Sequence, residues 1–215
     1  MISSKKFIGR YKMLNKRIKY TKLFFDDIFP KIELITNQSR YGYHGLSHTI
    51  QVALFALDIA IHTDQDPLTA LLAAALHDCA RTNDEWCVNH GPDAVPIGKK
   101  FLAKHYPNLS RTDTEQILDA VNKHTVGRNA TNGVAACLWD GDRIRLSWER
   151  GYNPDFFSTK RGQMIASLDL KGQKKYISDQ EEFLIQNNIR TRAQINFDKM
   201  QDHIQNHTQY KTNTR

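Results

Sequence analysis

The stretch LLAAALHDCAR, residues 71–81, decides how the rest of the chain is read. Seven apolar residues, Ala70 to Leu76, end abruptly in His77 and Asp78, an imidazole beside a carboxylate. Just upstream, Asp66 suits an N-cap and Pro67 the first helical position, so the run reads as a helix over 67–80. A segment this apolar belongs in a core. Its ionisable end then has two readings: the helix is reaching the surface, or a core helix is holding two polar groups at a site.

Working outward, the pattern is helical nearly throughout. Helices are expected over 5–19, 21–35, 47–62, 92–105, 112–124 and 133–145. In the third, Val52, Phe55, Ala56 and Ile59 recur at helical spacing; a Thr112-Asp113-Thr114-Glu115 capping box is expected to open the fifth. The polar TNQSRYGYHG, residues 36–45, is a linker, and from Thr159 further helices are expected, separated by Gly172 and by Asn187-Asn188. Strand-like alternation is scarce, and no tight turn joins two strand candidates. The reading is one all-α domain over 1–215: a bundle core over about 40–170, with flanking helices at 1–38 and 171–205.

Composition bounds the rest. A chain of 215 residues buries a core without staples, and Cys79, Cys87 and Cys137 form no disulfide framework, which fits a reducing compartment. No apolar run approaches the roughly 20 residues needed to cross a bilayer, and no leader layout is present. A cytoplasmic protein with no membrane partner is expected. The net charge of +7 is concentrated: residues 5–22 hold eight Lys or Arg and no acid. That run reads as the solvated face of a basic helix. It lacks the interleaved aromatics and motifs of a nucleic-acid binder, so nucleic acid is not the expected partner. Its charge would attract a polyanionic substrate. The tail over 206–215 reads as frayed.

The histidines differ in kind. His48 shares the apolar face of Val52 and Phe55, with His44 one turn earlier. His77 ends the apolar run, and His124 follows Ile117 and Val121 on an inward face. Three imidazoles from three helices thus face a core, and Asp78 adjoins one. A carboxylate so placed is costly unless it is paired or bound to a cation. Imidazole and carboxylate are ligands for divalent first-row metals, and helix bundles build metal sites from such facing side chains. His90, Asp140 and Asp142 are further candidates.

The order His48, His77-Asp78, Asp142 resembles the H…HD…D signature of the HD-domain metallophosphohydrolase superfamily. YHGLSHTIQV (43–52), AAALHDCAR (73–81), HGPDAVPIGKKFL (90–102) and LWDGDRIRL (138–146) each resemble a segment of it. ILDAVNKHTVGR (117–128) is similar to a segment of HD-type symmetrical diadenosine tetraphosphate hydrolases. The resemblance spans about 40–170 and implies the all-α HD helical bundle with extra N- and C-terminal helices. It implies His48, His77, Asp78 and Asp142 as ligands of a first metal, with Asp140 in reserve. Gly141 and Arg145 depart from the usual alanine and acidic residue of that last segment.

His90 and His124 match the added histidines of binuclear members, where Asp78 would bridge two ions; with a single ion they would bind phosphate. The implied cofactor is a divalent transition metal, one or two ions of Fe, Mn, Co, Zn or Ni, with Mg a further candidate. The implied activity is hydrolysis of a phosphoester or phosphoanhydride, on a small phosphorylated substrate of nucleotide type. His44 matches a position that protonates the leaving oxygen in HD-type phosphodiesterases. Arg81 and Arg128 are candidate phosphate clamps, since a guanidinium offers a planar fork to phosphate oxygens. Lys123 and Arg143 are weaker candidates. Asn83 and Asp84 are second-row or loop residues, and Tyr152, Phe156 and Phe157 are more readily core than base-stacking. The same ligands fit mixed-valent di-iron HD oxygenases, and a non-catalytic binding module is a third reading. Nothing in the sequence sets the oligomeric state.

Overall fold

The computed structural model describes residues 4–37, 44–85, 87–146, 153–191 and 194–195. Residues 38–43 of the linker, Tyr152 and the 206–215 tail lie outside them. The described residues form helices and turns, with no strand among them.

The N-terminal region departs from the two separate helices expected. α1 (Ser4–Leu23) runs straight into a π-turn (Phe24–Ile28) and then α2 (Phe29–Glu33). No breaker lies near residue 20. The adjustment falls instead beside Pro30, which has no N–H to give. Phe29 N–H reaches back five residues to the Phe24 carbonyl, the wider spacing of a π-turn. Phe24, Ile28 and Ile32 then all point into the core.

α3 (Leu46–His62) is the central rod. From Leu46 to Ile61 every residue but Gln51 is buried, because α1 and the helices over Pro67–Leu76 and Gly133–Leu146 pack around it. α4 (Pro67–Leu76) opens as expected: Asp66 Oδ2 accepts from the Thr69 N–H at 2.9 Å. It closes earlier than residue 80. After Leu76 the chain tightens into turns, with Cys79 N–H on the Leu76 carbonyl and Arg81 N–H on that of Asp78. His77 and Asp78 therefore sit at the helix end, at a corner, rather than within a regular turn.

α5 (His90–His105) and α6 (Arg111–Lys123) form a pair packed on the core. The cap of α6 is Ser110, not the Thr112 box. Ser110 Oγ accepts from the Asp113 N–H at 3.0 Å and donates to the Asp113 carboxylate at 2.7 Å. The first turn therefore begins two residues earlier. α7 (Gly133–Leu146) lies along α3, and a Cβ at Gly141 would meet Ala56 N at 3.0 Å and Val52 O at 3.1 Å. That close approach favours glycine where the resembled segment has alanine, since a methyl there would push the two helices apart by a few tenths of an ångström.

α8 (Lys160–Ala166) and α9 (Leu170–Gln186) complete the described helices. Gly172 is not a break: it lies in the first turn of α9, its N–H on the Asp169 cap at 2.7 Å. Asn187 ends the helix as expected. α9 returns to the central rod, where Tyr176 stacks on Phe55 and donates to Asp58 at 2.9 Å.

Candidate metal centre

His77 and Asp78 end α4, His48 lies in the first turn of α3, His90 opens α5, His124 caps the end of α6, and Asp142 lies on α7. Five helix segments thus converge, and their side chains form two groups that share one carboxylate. His48, His77 and Asp78 make the first, and Asp78, His90 and His124 the second. Asp78 Oδ2 lies 3.5 Å from His48 Nε2 and 3.4 Å from His77 Nε2. Its other oxygen lies 3.0 Å from His90 Nε2 and 3.4 Å from His124 Nε2. Asp142 Oδ1 joins the first group, 3.3 Å from His48 Nε2. Donors about 2.0–2.2 Å from one ion stand roughly 3 Å apart, so these separations are those of a ligand shell.

The tautomers also fit a cation. Nδ1 of His77 and Nδ1 of His124 each donate to a carbonyl, of Ala74 and Val121, at 2.7 Å. His90 Nδ1 donates to the Cys87 carbonyl. Carbonyls only accept, so each of these rings holds its proton on Nδ1 and turns a lone pair inward from Nε2. This backbone fixing is how ligating histidines are oriented. His90 and His124 Nε2 then face one another at 2.8 Å with Asp78 Oδ1 beside them, a gathering of lone pairs that a cation would satisfy. Asp142 Oδ1 is buried and accepts no hydrogen bond among the described residues.

The electrostatics agree. Burial pulls the His77 imidazole down to about 4, so it is neutral at pH 7. Burial works against ionisation of Asp78, yet His77, His124 and His90 hold its carboxyl well below the ordinary range. Burial opposes Asp142 too, but the imidazoles beside it, His48 first and then His77 and His124, bring it down to about 2. Burial would lower His124, and Asp78 raises it instead: this pocket draws positive charge onto itself.

Asp140, the reserve ligand, is engaged elsewhere. Its carboxylate is fully buried and accepts from Ser158 N–H, Thr159 N–H and Thr159 Oγ1 at 2.7–2.8 Å. It anchors the entry to α8. Local packing also explains how α5 meets α6: a Cβ on Gly91 would stand 2.9 Å from the Val121 and Asn122 carbonyls, so glycine lets His90 reach His124.

The cluster floors a cavity of about 300 Å³ whose walls include His44, Arg81, Asp84, Glu85, Cys87, Val88, Thr125 and Leu146. Asp84 accepts from the His44 backbone N–H at 3.0 Å and its carboxylate lies 3.3 Å from His44 Nδ1. Arg81 donates through Nε and Nη2 to the Asn83 and Glu85 carbonyls, both at 2.9 Å. Arg128 is exposed and absent from the lining. Lys123 pairs with Asp119, and Arg143 binds the Gly127, Arg128 and Phe156 carbonyls. Phe157 is core, Phe156 is exposed, and neither lines the cavity.

The Asp84–His44 contact joins residues 40 apart and has no spacing signal in the sequence. Cys87, Val88, Thr125 and Leu146 likewise reach the wall only through the fold. The role of Asp140 had a faint signal, the Ser158-Thr159 pair typical of a helix start.

A family model for the HD domain matches residues 45–166, more than half of the chain. The chain belongs to the HD-domain family. Two strains of Ureaplasma parvum serovar 3 carry a relative, Ribonuclease Y, that is 34% identical to this HD protein over 93 residues. The match takes in 41% of this chain and 20% of the relative, so the shared part is a fifth of that enzyme's length. A solved structure, a predicted HD superfamily hydrolase from an uncultured Thermotogales bacterium, superposes with a TM-score of 0.50 at 19% identity. It covers 82% of this chain and 91% of its own, and it shows the all-α fold. Among the described residues, no helix of this HD protein is long and apolar enough to cross a membrane.

Proposed function

We propose that this HD protein is a metal-dependent phosphohydrolase that cleaves a phosphoester or phosphoanhydride bond in a small phosphorylated substrate, of nucleotide type. The observation that carries the reading is Asp78, whose two oxygens serve two separate groups of imidazoles on a cavity floor. His48, His77, Asp78 and Asp142 would hold one divalent ion, and Asp78, His90 and His124 a second. Divalent ions bound there supply a nucleophile at neutral pH by lowering the pKa of water, and they neutralise phosphoryl charge.

The chain's own groups do the rest. Backbone carbonyls fix three imidazoles, so the floor is set before substrate arrives. Asp84 holds His44 at the wall, by main chain and ring together, placing an imidazole to give a proton to the leaving oxygen. Arg81 is the guanidinium on that wall and adds positive charge for phosphate. A relative named as a ribonuclease, hence an enzyme of phosphodiester bonds, supports the class of reaction.

The test pairs metal analysis with a panel of nucleotides and simple phosphodiesters. Purified protein is expected to carry at least one equivalent of transition metal and to release phosphate or nucleotide product. His77→Ala and Asp78→Ala are expected to lose metal and more than about a hundredfold of activity, beyond the loss typical of an outer hydrogen-bond partner. Activity surviving both changes would place the chemistry elsewhere. Oxygen uptake by iron-loaded protein with no hydrolysis would mark the di-iron oxygenase instead. Metal binding without turnover on the panel would favour a binding module.

A further inference from the structure

The two donor groups differ in charge. His48, His77, Asp78 and Asp142 bring two carboxylates and two imidazoles. Asp78, His90 and His124 bring two imidazoles and only the shared carboxylate. A cation lies against this second group. Nη1 of Arg81 is 3.2 Å from Nδ1 and 3.3 Å from Nε2 of His90. The guanidinium is buried, and the Asn83 and Glu85 carbonyls that pin it carry no formal charge to offset its own. Asp78, the carboxylate beside His90, is shared by both groups and so does not favour either; Asp84 is engaged by His44, and Glu85 is exposed and screened by solvent.

We propose that Arg81 makes the two metal subsites unequal, so that the ion at His90 and His124 binds more weakly and is held firmly only once a phosphate-type anion enters the cavity. The inference rests on the metal-site reading above and adds an order of loading. The inner ion, between two carboxylates, is resident. The outer ion arrives with the anion, whose negative charge offsets the guanidinium. Arg81 is then a positioning residue that acts through charge on the second subsite.

The test is equilibrium dialysis of the full, metal-stripped chain against Mn²⁺. Bound ions are counted by elemental analysis, and paired ions are recognised by their spin-coupled EPR signal. Two-step filling is expected, the second dissociation constant at least roughly tenfold the first, as fits one buried unit charge near the site. Inorganic phosphate is expected to narrow that gap and bring up the coupled signal. Arg81→Gln should tighten the second ion, whereas Arg81→Lys, which keeps the charge, should preserve the gap.

Two ions filling together without phosphate would overturn the proposal and leave the metal site standing. So would a second ion weakened by Arg81→Gln, the result if Arg81 merely ties the loop, or a single ion even with phosphate present. No ion bound at all would overturn the metal site as well. Should Arg81→Gln fail to fold, Arg81→Met, which removes the charge and keeps the length, is read in the same way: a second ion no tighter than in Arg81→Lys would overturn the proposal.

Discussion

At the residue scale, the site depends on where individual protons sit. His77, His90 and His124 are useful as donors because a carbonyl occupies Nδ1 and leaves Nε2 bare. The same logic applies to His44, whose ring Asp84 orients. Asp84→Asn is expected to lower turnover about 10²-fold on substrates with poor leaving groups, within the usual range for general acid catalysis. Aryl phosphates, whose leaving oxygens need no proton, should lose far less. Equal losses on both would remove His44 and Asp84 from the proton transfer. At this scale much was legible. His48, His77, Asp78, His90, His124 and Asp142 stand out by residue type and order, and the structure gathers all six. Asp84 was legible only as a residue of unsettled role, because its partner is 40 positions away.

At the scale of elements, the helices were readable and their ends were not. The apolar run dictates α4, yet its end at Leu76 comes from tight turns that carry His77 and Asp78 into the cluster. The cap of α6 moved to Ser110 because that hydroxyl bonds the Asp113 N–H and its carboxylate. Past α5, Tyr106 donates to Asp27 at 2.7 Å, fastening the pair α5–α6 to the π-turn after α1. Hydrogen bonds from Lys31 and Tyr106 hold the Asp27 carboxyl below its ordinary 3.8. A depressed carboxylate stabilises the fold fully above that ordinary value and ceases to as pH falls through the folded-state value. The Tm difference between wild type and Asp27→Asn should therefore be widest near neutrality and close below about pH 4. A gap that does not change with pH would mean that ionisation of Asp27 adds nothing.

For the whole molecule, the terminal additions clasp the central rod. Asp58 on α3 is buried and takes Arg161 of α8 at 2.8–2.9 Å and Tyr176 of α9 at 2.9 Å. Arg17 of α1 donates to Gln180 and lies over the ring of Phe183, both on α9. Arg161→Ala strands the Asp58 charge and should cost about 2–4 kcal/mol in urea unfolding. A loss under about 0.5 kcal/mol would mean Tyr176 and water satisfy Asp58 alone. Metal should act on the same global equilibrium. Ligands drawn from five helix segments meet only in the folded chain, so added Mn²⁺ should raise Tm and chelation lower it. His77→Ala should abolish that response.

The sequence by itself determined the helical class, the burial of the 67–76 run and the identity of the six clustered side chains. Apolar periodicity and residue chemistry are local properties, written in neighbouring letters. The family resemblance already preferred Asp142 to Asp140, and the tertiary structure supplied the reason that Asp142 faces the cluster. Both carboxylates lie on α7 two residues apart, and Ser158 and Thr159 take up one of them. Tertiary structure alone decided that Arg81 lies against His90 while Arg128 faces solvent. Which way a charged side chain turns depends on the partners that packing brings to it, and those partners come from distant stretches of the chain.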